Sequence, residues 1–217
     1  MRRIICACGG ILLIAAMTLG NGAVPMAIYA LAALLHEAGH ILAAKLQGIN
    51  IKRISLGVLG LKIETDERLF SYKSELILAL SGPLANLASL AVILVIARAC
   101  GVPIPNLIER SAQVLQTGHS EAWGYVGFFA LSSLIHAATN LMPIKNFDGG
   151  RATRCAAALL FGEHAAEIIL TVTSVSLLFA IWSIALYLML KISSGIGIYA
   201  FVLSVFLTTL HGERRKN

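Results

Sequence analysis

The chain has 217 residues, of which 58% are apolar and only 13% charged, and its mean hydropathy is +0.82. A soluble domain carries about 25% charged residues, so a single water-soluble core is excluded and bilayer lipid is the expected main solvent. The net charge of +6 would suit a nucleic acid, but the basic residues are distributed as a membrane topology requires, and no nucleic-acid partner is expected.

A membrane-spanning helix needs about 20 mostly apolar residues. Six stretches qualify: 4–19, 24–46, 76–97, 123–142, 168–190 and 192–210. The predicted fold is therefore an all-α polytopic membrane protein with six transmembrane helices. With the amino terminus in the cytoplasm, 14 of the 17 Lys and Arg residues fall on the cytoplasmic side, and only Arg98, Arg110 and Lys191 lie outside. That asymmetry follows the positive-inside rule and puts both termini in the cytoplasm. The first stretch, following Met1-Arg2-Arg3, also has the outline of a signal peptide, but no clear A-x-A site follows it. The four cysteines, Cys6, Cys8, Cys100 and Cys155, form no CxxC pair, so they predict small apolar fillers rather than a zinc ribbon or a disulfide framework.

The second span carries His36-Glu37-Ala38-Gly39-His40. In HExxH a helix brings two imidazoles to one face, about one turn apart. Zinc accepts neutral His nitrogen and keeps a position open for water in catalytic sites, and the Glu beside the first His serves as general base. Ionisable groups at membrane depth are costly and mark functional sites facing the protein interior. A polar helix–helix contact would be the ordinary alternative, but it gives no reason for metal-ligand spacing. His40 lies about 10 Å from the end of the span at Leu46, so the site is expected to open to the cytoplasm.

Residues 51–72 do not read as a helix. Ile54, Leu56 and Val58 alternate with Ser55 and Gly57, and Leu59, Leu61 and Ile63 alternate with Gly60 and Lys62. Period two with a phase slip at Val58–Leu59 predicts a short membrane-associated β segment, either two strands or one strand with a bulge.

Two histidines and a water leave zinc one ligand short. The chain has two aspartates, and Asp66 sits in a charged stretch. Asp148 follows Asn140-Leu141-Met142-Pro143 and precedes Gly149-Gly150, where Pro143 breaks the fourth helix. Non-helical backbone at membrane depth is tolerated only when buried or lining a wet cavity. The residues alone leave two readings open: a third metal ligand, or a cap for a helix beginning near Arg151.

HExxH in one span, Gly82-Pro83-Leu84-Ala85-Asn86 in the next, and Asn140-x-x-Pro143 followed by Asp148-Gly149-Gly150 resemble the site-2 protease family of intramembrane zinc metalloproteases. The resemblance covers residues 24–155. It implies that His36, His40 and Asp148 bind Zn2+ and that Glu37 is the catalytic base. It implies a membrane-tethered protein substrate, with an inhibitory or regulatory membrane protein as a second kind of partner. Lys145 and Asn146 depart from the more apolar, proline-rich stretch common before the DGG motif, which puts the local substrate groove in question. Residues 1–217 read as one intramembrane metalloprotease domain without a PDZ-like or CBS domain. The compact plan is similar to the sporulation branch, which trims a membrane-tethered pro-sigma factor.

Asn86 and Asn140 are polar residues within spans. They can hydrogen-bond between helices or, as the family motifs imply, position substrate and stabilise the developing oxyanion. For Asn86 the interhelical bond is the expected role, and His136, one turn before Asn140, is expected to bond to a neighbouring helix. The expected reaction is peptide-bond hydrolysis at the membrane. Two rivals have distinct signatures. A metal or proton transporter would use intramembrane His, Glu and Asp but gives Glu37 no reason to adjoin His36. A non-catalytic scaffold gives no reason to keep every ligand type.

Overall fold

The computed structural model describes residues 23–49, 51–57, 60–65 and 71–192. They form six helices and a two-stranded ribbon, divided into two compact units, Met1–Leu141 and Met142–Asn217. The first stretch, Cys6 and Cys8, and nearly all of the last stretch lie outside the described residues.

The first unit opens with α1, Ala23–Leu46. Its early proline, Pro25, falls in the first turn, where a missing N–H costs nothing. The helix stops at Gly48, whose φ is 67°. Gly48 N–H donates to the Lys45 carbonyl at 3.0 Å and Ile49 N–H to the Ala44 carbonyl at 2.9 Å, the two bonds of a Schellman ending. Its hydrophobic contact is present too, because Ile49 packs on Ala43, Ala44 and Leu78.

An antiparallel ribbon follows, β1 (Ile51–Gly57) and β2 (Gly60–Thr65). Ile54 pairs with Ile63 and Leu56 with Leu61, and the register shifts between Ile51 and Arg53. The expected phase slip at Val58–Leu59 lies outside the described residues.

Helix α2, Tyr72–Ala99, starts at Ser71, whose hydroxyl accepts from the Ser74 N–H at 3.2 Å, and it places Glu75 in its first turn and Arg98 in its last. Those charges match the helix dipole. Pro83 sits inside α2; it withdraws one helical hydrogen bond, and in membrane helices neighbouring groups make good the loss.

Helix α3, Ile104–Thr117, was not expected. It begins after Pro103, ends at Gly118 with φ 74°, and buries Leu107, Ser111 and Val114. It is short and amphipathic, so a hydropathy reading tuned to spans passes over it. Helix α4, Ala122–Asn140, packs against α1, α2 and α3. Arg110 and Glu121 pair at 2.9 Å between α3 and the start of α4.

In the second unit, the Met142–Phe147 turn is held by Ser174. Its hydroxyl accepts from the Lys145 N–H at 3.0 Å and donates to the Pro143 carbonyl at 3.2 Å. Helix α5, Asp148–Phe161, and helix α6, Glu163–Ile192, are clasped by Arg154, which reaches Glu167 at 2.8 Å and Glu163 at 3.3 Å. Gly150 lets the turn close: a Cβ there would lie 2.0 Å from the Ile144 carbonyl oxygen, so a side chain would prise α5 from its own approach. Cys155 is buried as a filler, whereas Cys100 is exposed at the end of α2. The filler expectation therefore fails at Cys100, which caps a helix end and has no core to fill.

Among the described residues, three helices are long and apolar enough to cross a membrane: Ala23–Leu46, Tyr72–Ala99 and Glu163–Ile184. The stretch expected at 123–142 is helical as α4 but falls short of that standard. Ser132, Ser133, His136, Thr139 and Asn140 on α4 dilute its apolar character. Away from their charged ends, the outward-facing residues of the three long helices are mostly apolar, with Leu34 58%, Val95 69% and Phe179 66% exposed, which suits lipid rather than water as the surrounding medium.

Candidate metal centre

His36 and His40 occupy successive turns of α1 and are almost fully buried, at 2% and 6% exposure. Their Nε2 atoms lie 3.1 Å apart, and the rings meet edge to face. Two nitrogens bound to one tetrahedral zinc at about 2.0–2.1 Å would lie about 3.3 Å apart. The pair therefore fits a shared metal with almost no adjustment.

The ring of His40 is aimed from behind. Its Nδ1 lies 2.8 Å from the Leu78 carbonyl oxygen on α2 and 3.2 Å from the Ser81 hydroxyl. A carbonyl can only accept, so Nδ1 carries the proton and the Nε2 lone pair is directed at His36. Metal-ligating histidines commonly carry such an outer hydrogen bond. The Ser81 hydroxyl donates to the same carbonyl at 2.7 Å.

Gly82 explains how α2 can pass so close. A Cβ at that position would stand 2.4 Å from the His40 Nε2 and 2.7 Å from the His36 Nε2. Any side chain here would occupy the point on which the two nitrogens converge. Glu37 adjoins His36 on α1 and is half-buried, with one carboxylate oxygen sealed from solvent.

Two residues assigned no catalytic part by the sequence reading stand beside this pair. The His136 ring on α4 meets the His36 ring edge to face, centroids 4.8 Å apart. The Tyr29 hydroxyl lies 3.4 Å from His136 Nδ1, and the two rings are 5.8 Å apart. The neighbour expected for His136 is thus Tyr29, and His136 also lies against a candidate ligand. Tyr29 precedes His36 by seven residues, which puts it on the same helix face two turns back. That spacing was the only signal for it in the sequence.

The asparagines differ from expectation. Asn86 is fully buried on α2, one turn past Gly82, and neither side-chain atom has a hydrogen-bond partner among the described residues. Its expected interhelical bond is not formed. Asn140 donates to the His136 carbonyl at 3.0 Å, a bond within its own helix.

Asp148 belongs to the second unit. It is the first residue of α5, and its side chain is 14% exposed with Arg151 at 3.8 Å. The N-cap is Phe147, without a side-chain capping bond, so Asp148 is not the cap that one reading offered.

Comparison with known proteins agrees with this picture. The model of Peptidase family M50 matches residues 26–181. No curated protein matches the chain. Among solved structures, the chain is similar to the site-2 protease from Methanocaldococcus jannaschii, at 21% identity and a TM-score of 0.62, covering 94% of this chain and 87% of that one. That likeness is one of fold. The family match spans most of the chain and includes the paired histidines, and by it the chain belongs to peptidase family M50, the membrane-embedded zinc metalloproteases of the site-2 protease type.

Proposed function

We propose that this protein hydrolyses a peptide bond in or near the transmembrane segment of a membrane-tethered protein. The observation that carries the reading is the buried His36–His40 pair, with its Nε2 atoms converged at 3.1 Å and His40 held in the ligating tautomer by the Leu78 carbonyl. His36, His40 and Asp148 would hold Zn2+: two neutral imidazoles and one carboxylate are a donor set that zinc accepts. Family membership supports Asp148 as the third ligand. When bound, zinc supplies a Lewis acid and lowers the pKa of a coordinated water.

Glu37 takes the proton of the attacking water and hands it to the leaving amine. Its position beside His36 and its sealed carboxylate oxygen suit that duty. Asn86 and Asn140 position the substrate backbone, and the buried, unpartnered amide of Asn86 is ready for a peptide group, which offers one donor and one acceptor. The β1–β2 ribbon takes the unwound stretch of substrate as an added strand. In this reading residues 1–217 act as one domain with six spans, α4 among them as an interior helix. Both termini and the opening of the site face the cytoplasm, as the basic-residue asymmetry supports. An inhibitory or regulatory membrane protein is the second kind of partner, and a pro-sigma factor of sporulation is the substrate that the compact plan suggests.

A metal or proton transporter would also use intramembrane His, Glu and Asp, but it leaves Glu37 without a task. The test is purification of wild type and Glu37→Gln in detergent, with zinc per chain and cleavage of a panel of single-span proteins measured side by side. The expected result is equal zinc and cleavage reduced by at least about 10²-fold in Glu37→Gln. Full cleavage by that variant refutes Glu37 as the base.

A further inference from the structure

The Tyr29–His136 pair is not used by the mechanism above, yet it borders the metal pair. We infer that His136 is a further catalytic residue, donating from Nε2–H to the carbonyl oxygen of the scissile peptide, and that Tyr29 is the positioning residue that makes it a donor. The inference rests on the proteolytic reading.

The case begins with the tautomer. A phenol can donate or accept; here the Tyr29 hydroxyl, 3.4 Å from His136 Nδ1, is taken as the donor to that nitrogen. A neutral imidazole holding its lone pair at Nδ1 carries its proton on Nε2. In that assignment Tyr29 acts on His136 in the opposite sense to the Leu78 carbonyl on His40, whose proton is held at Nδ1 because a carbonyl only accepts. The two imidazoles are thus proposed to stand in complementary states, the His40 Nε2 lone pair directed at a metal and the His136 Nε2–H directed at substrate.

Position supplies the second part. The His136 ring packs against His36 with centroids 4.8 Å apart and planes at 87°. His136 therefore stands directly beside the ring of one of the two candidate metal ligands. The ring is half-buried on α4, and the Asn140 amide bonds the His136 backbone carbonyl, which ties this residue to the Asn140-x-x-Pro143 stretch. The 3.4 Å bond to Tyr29 is long for a hydroxyl donor, and catalytic hydrogen bonds are often long before substrate binds and tighten with it.

The chemistry balances without a proton leaving His136. Water oxygen forms a bond to the carbonyl carbon, and the C=O π pair moves onto oxygen. That oxygen, now anionic, accepts the Nε2–H hydrogen bond. The C–N bond then breaks as the pair returns, and the proton held by Glu37 goes to the amine nitrogen. A donor aimed at the oxyanion contributes about 10²–10³-fold to the rate.

The test uses the purified full chain with the single-span protein that wild type cleaves fastest. His136→Phe keeps a ring edge against His36 but has no donor, and it is expected to retain wild-type zinc while kcat falls about 10²–10³-fold with KM little changed. His136→Gln restores an N–H and part of the rate. Tyr29→Phe loses less, and adding it to His136→Phe costs nothing more. A second readout stands apart from turnover: a phosphinic peptide, whose oxygen mimics the oxyanion, loses affinity for His136→Phe in step with kcat/KM, whereas acetohydroxamate does not. Wild-type kcat in His136→Phe overturns the assignment, as does unchanged phosphinate affinity, or lost activity that added zinc restores. If neither wild type nor Glu37→Gln cleaves any of the panel, the proteolytic reading fails and this assignment with it; wild-type cleavage equalled by His136→Phe removes this assignment alone.

Discussion

Asn86 is the residue where stability and function separate most cleanly. A buried amide with no partner costs about 1–3 kcal/mol for each unsatisfied group, while an apolar group of similar shape is nearly neutral. Asn86→Leu should therefore leave the thermal midpoint unchanged or raise it by a few degrees, keep zinc, and lower cleavage by about 10-fold or more. A drop in the midpoint on differential scanning fluorimetry would show instead that the amide serves the fold. The residues that could be read from the sequence share one property. His36, Glu37 and His40 lie within five positions of one helix, so their convergence is fixed by helix geometry alone. Tyr29 and His136 stand 107 positions apart and meet only because α1 crosses α4, which no local pattern encodes. Asp148 was singled out by its residue type and by resemblance, not by spacing.

Elements followed the same logic. Helices α1, α2 and α6 announced themselves by length and hydropathy, because lipid rewards a continuous apolar run. Helix α4 was readable as a helix but is less apolar, since it carries His136 and Asn140 toward the interior. Helix α3 went unread, although Leu107, Ser111 and Val114 recur at helical spacing between a proline and a glycine. The ribbon invites a direct experiment. If β1 and β2 hold the unwound substrate, deleting residues 55–63 should abolish cleavage while zinc per chain stays at the wild-type value. Cleavage that survives the deletion would remove the ribbon from the mechanism. The converse loss, of zinc, would give it a structural task at the metal pair.

For the whole molecule, composition alone was enough to name the medium, because 13% charge cannot clothe a water-soluble surface of this size. Orientation rests on the basic residues and is open to chemistry. Cys100 is exposed just past the end of α2, on the side assigned to the cell exterior, whereas Cys155 is buried. In a chain with Cys6→Ser and Cys8→Ser, a membrane-impermeant maleimide applied to intact cells should label Cys100 without detergent. Labelling only after lysis would invert the proposed topology.

The bond from His40 to the Leu78 carbonyl has a thermodynamic consequence. That oxygen belongs to the backbone of α2, so the group that aims a candidate metal ligand is also part of a helix. Anything that binds the native chain alone deepens the native state by an amount that grows with the logarithm of its free concentration above Kd, and a metal held by His36 and His40 would place that gain on the joint between the first two helices. With the proposed metal bound there, the thermal midpoint of the protein should rise with zinc concentration and fall on chelation, read by differential scanning fluorimetry.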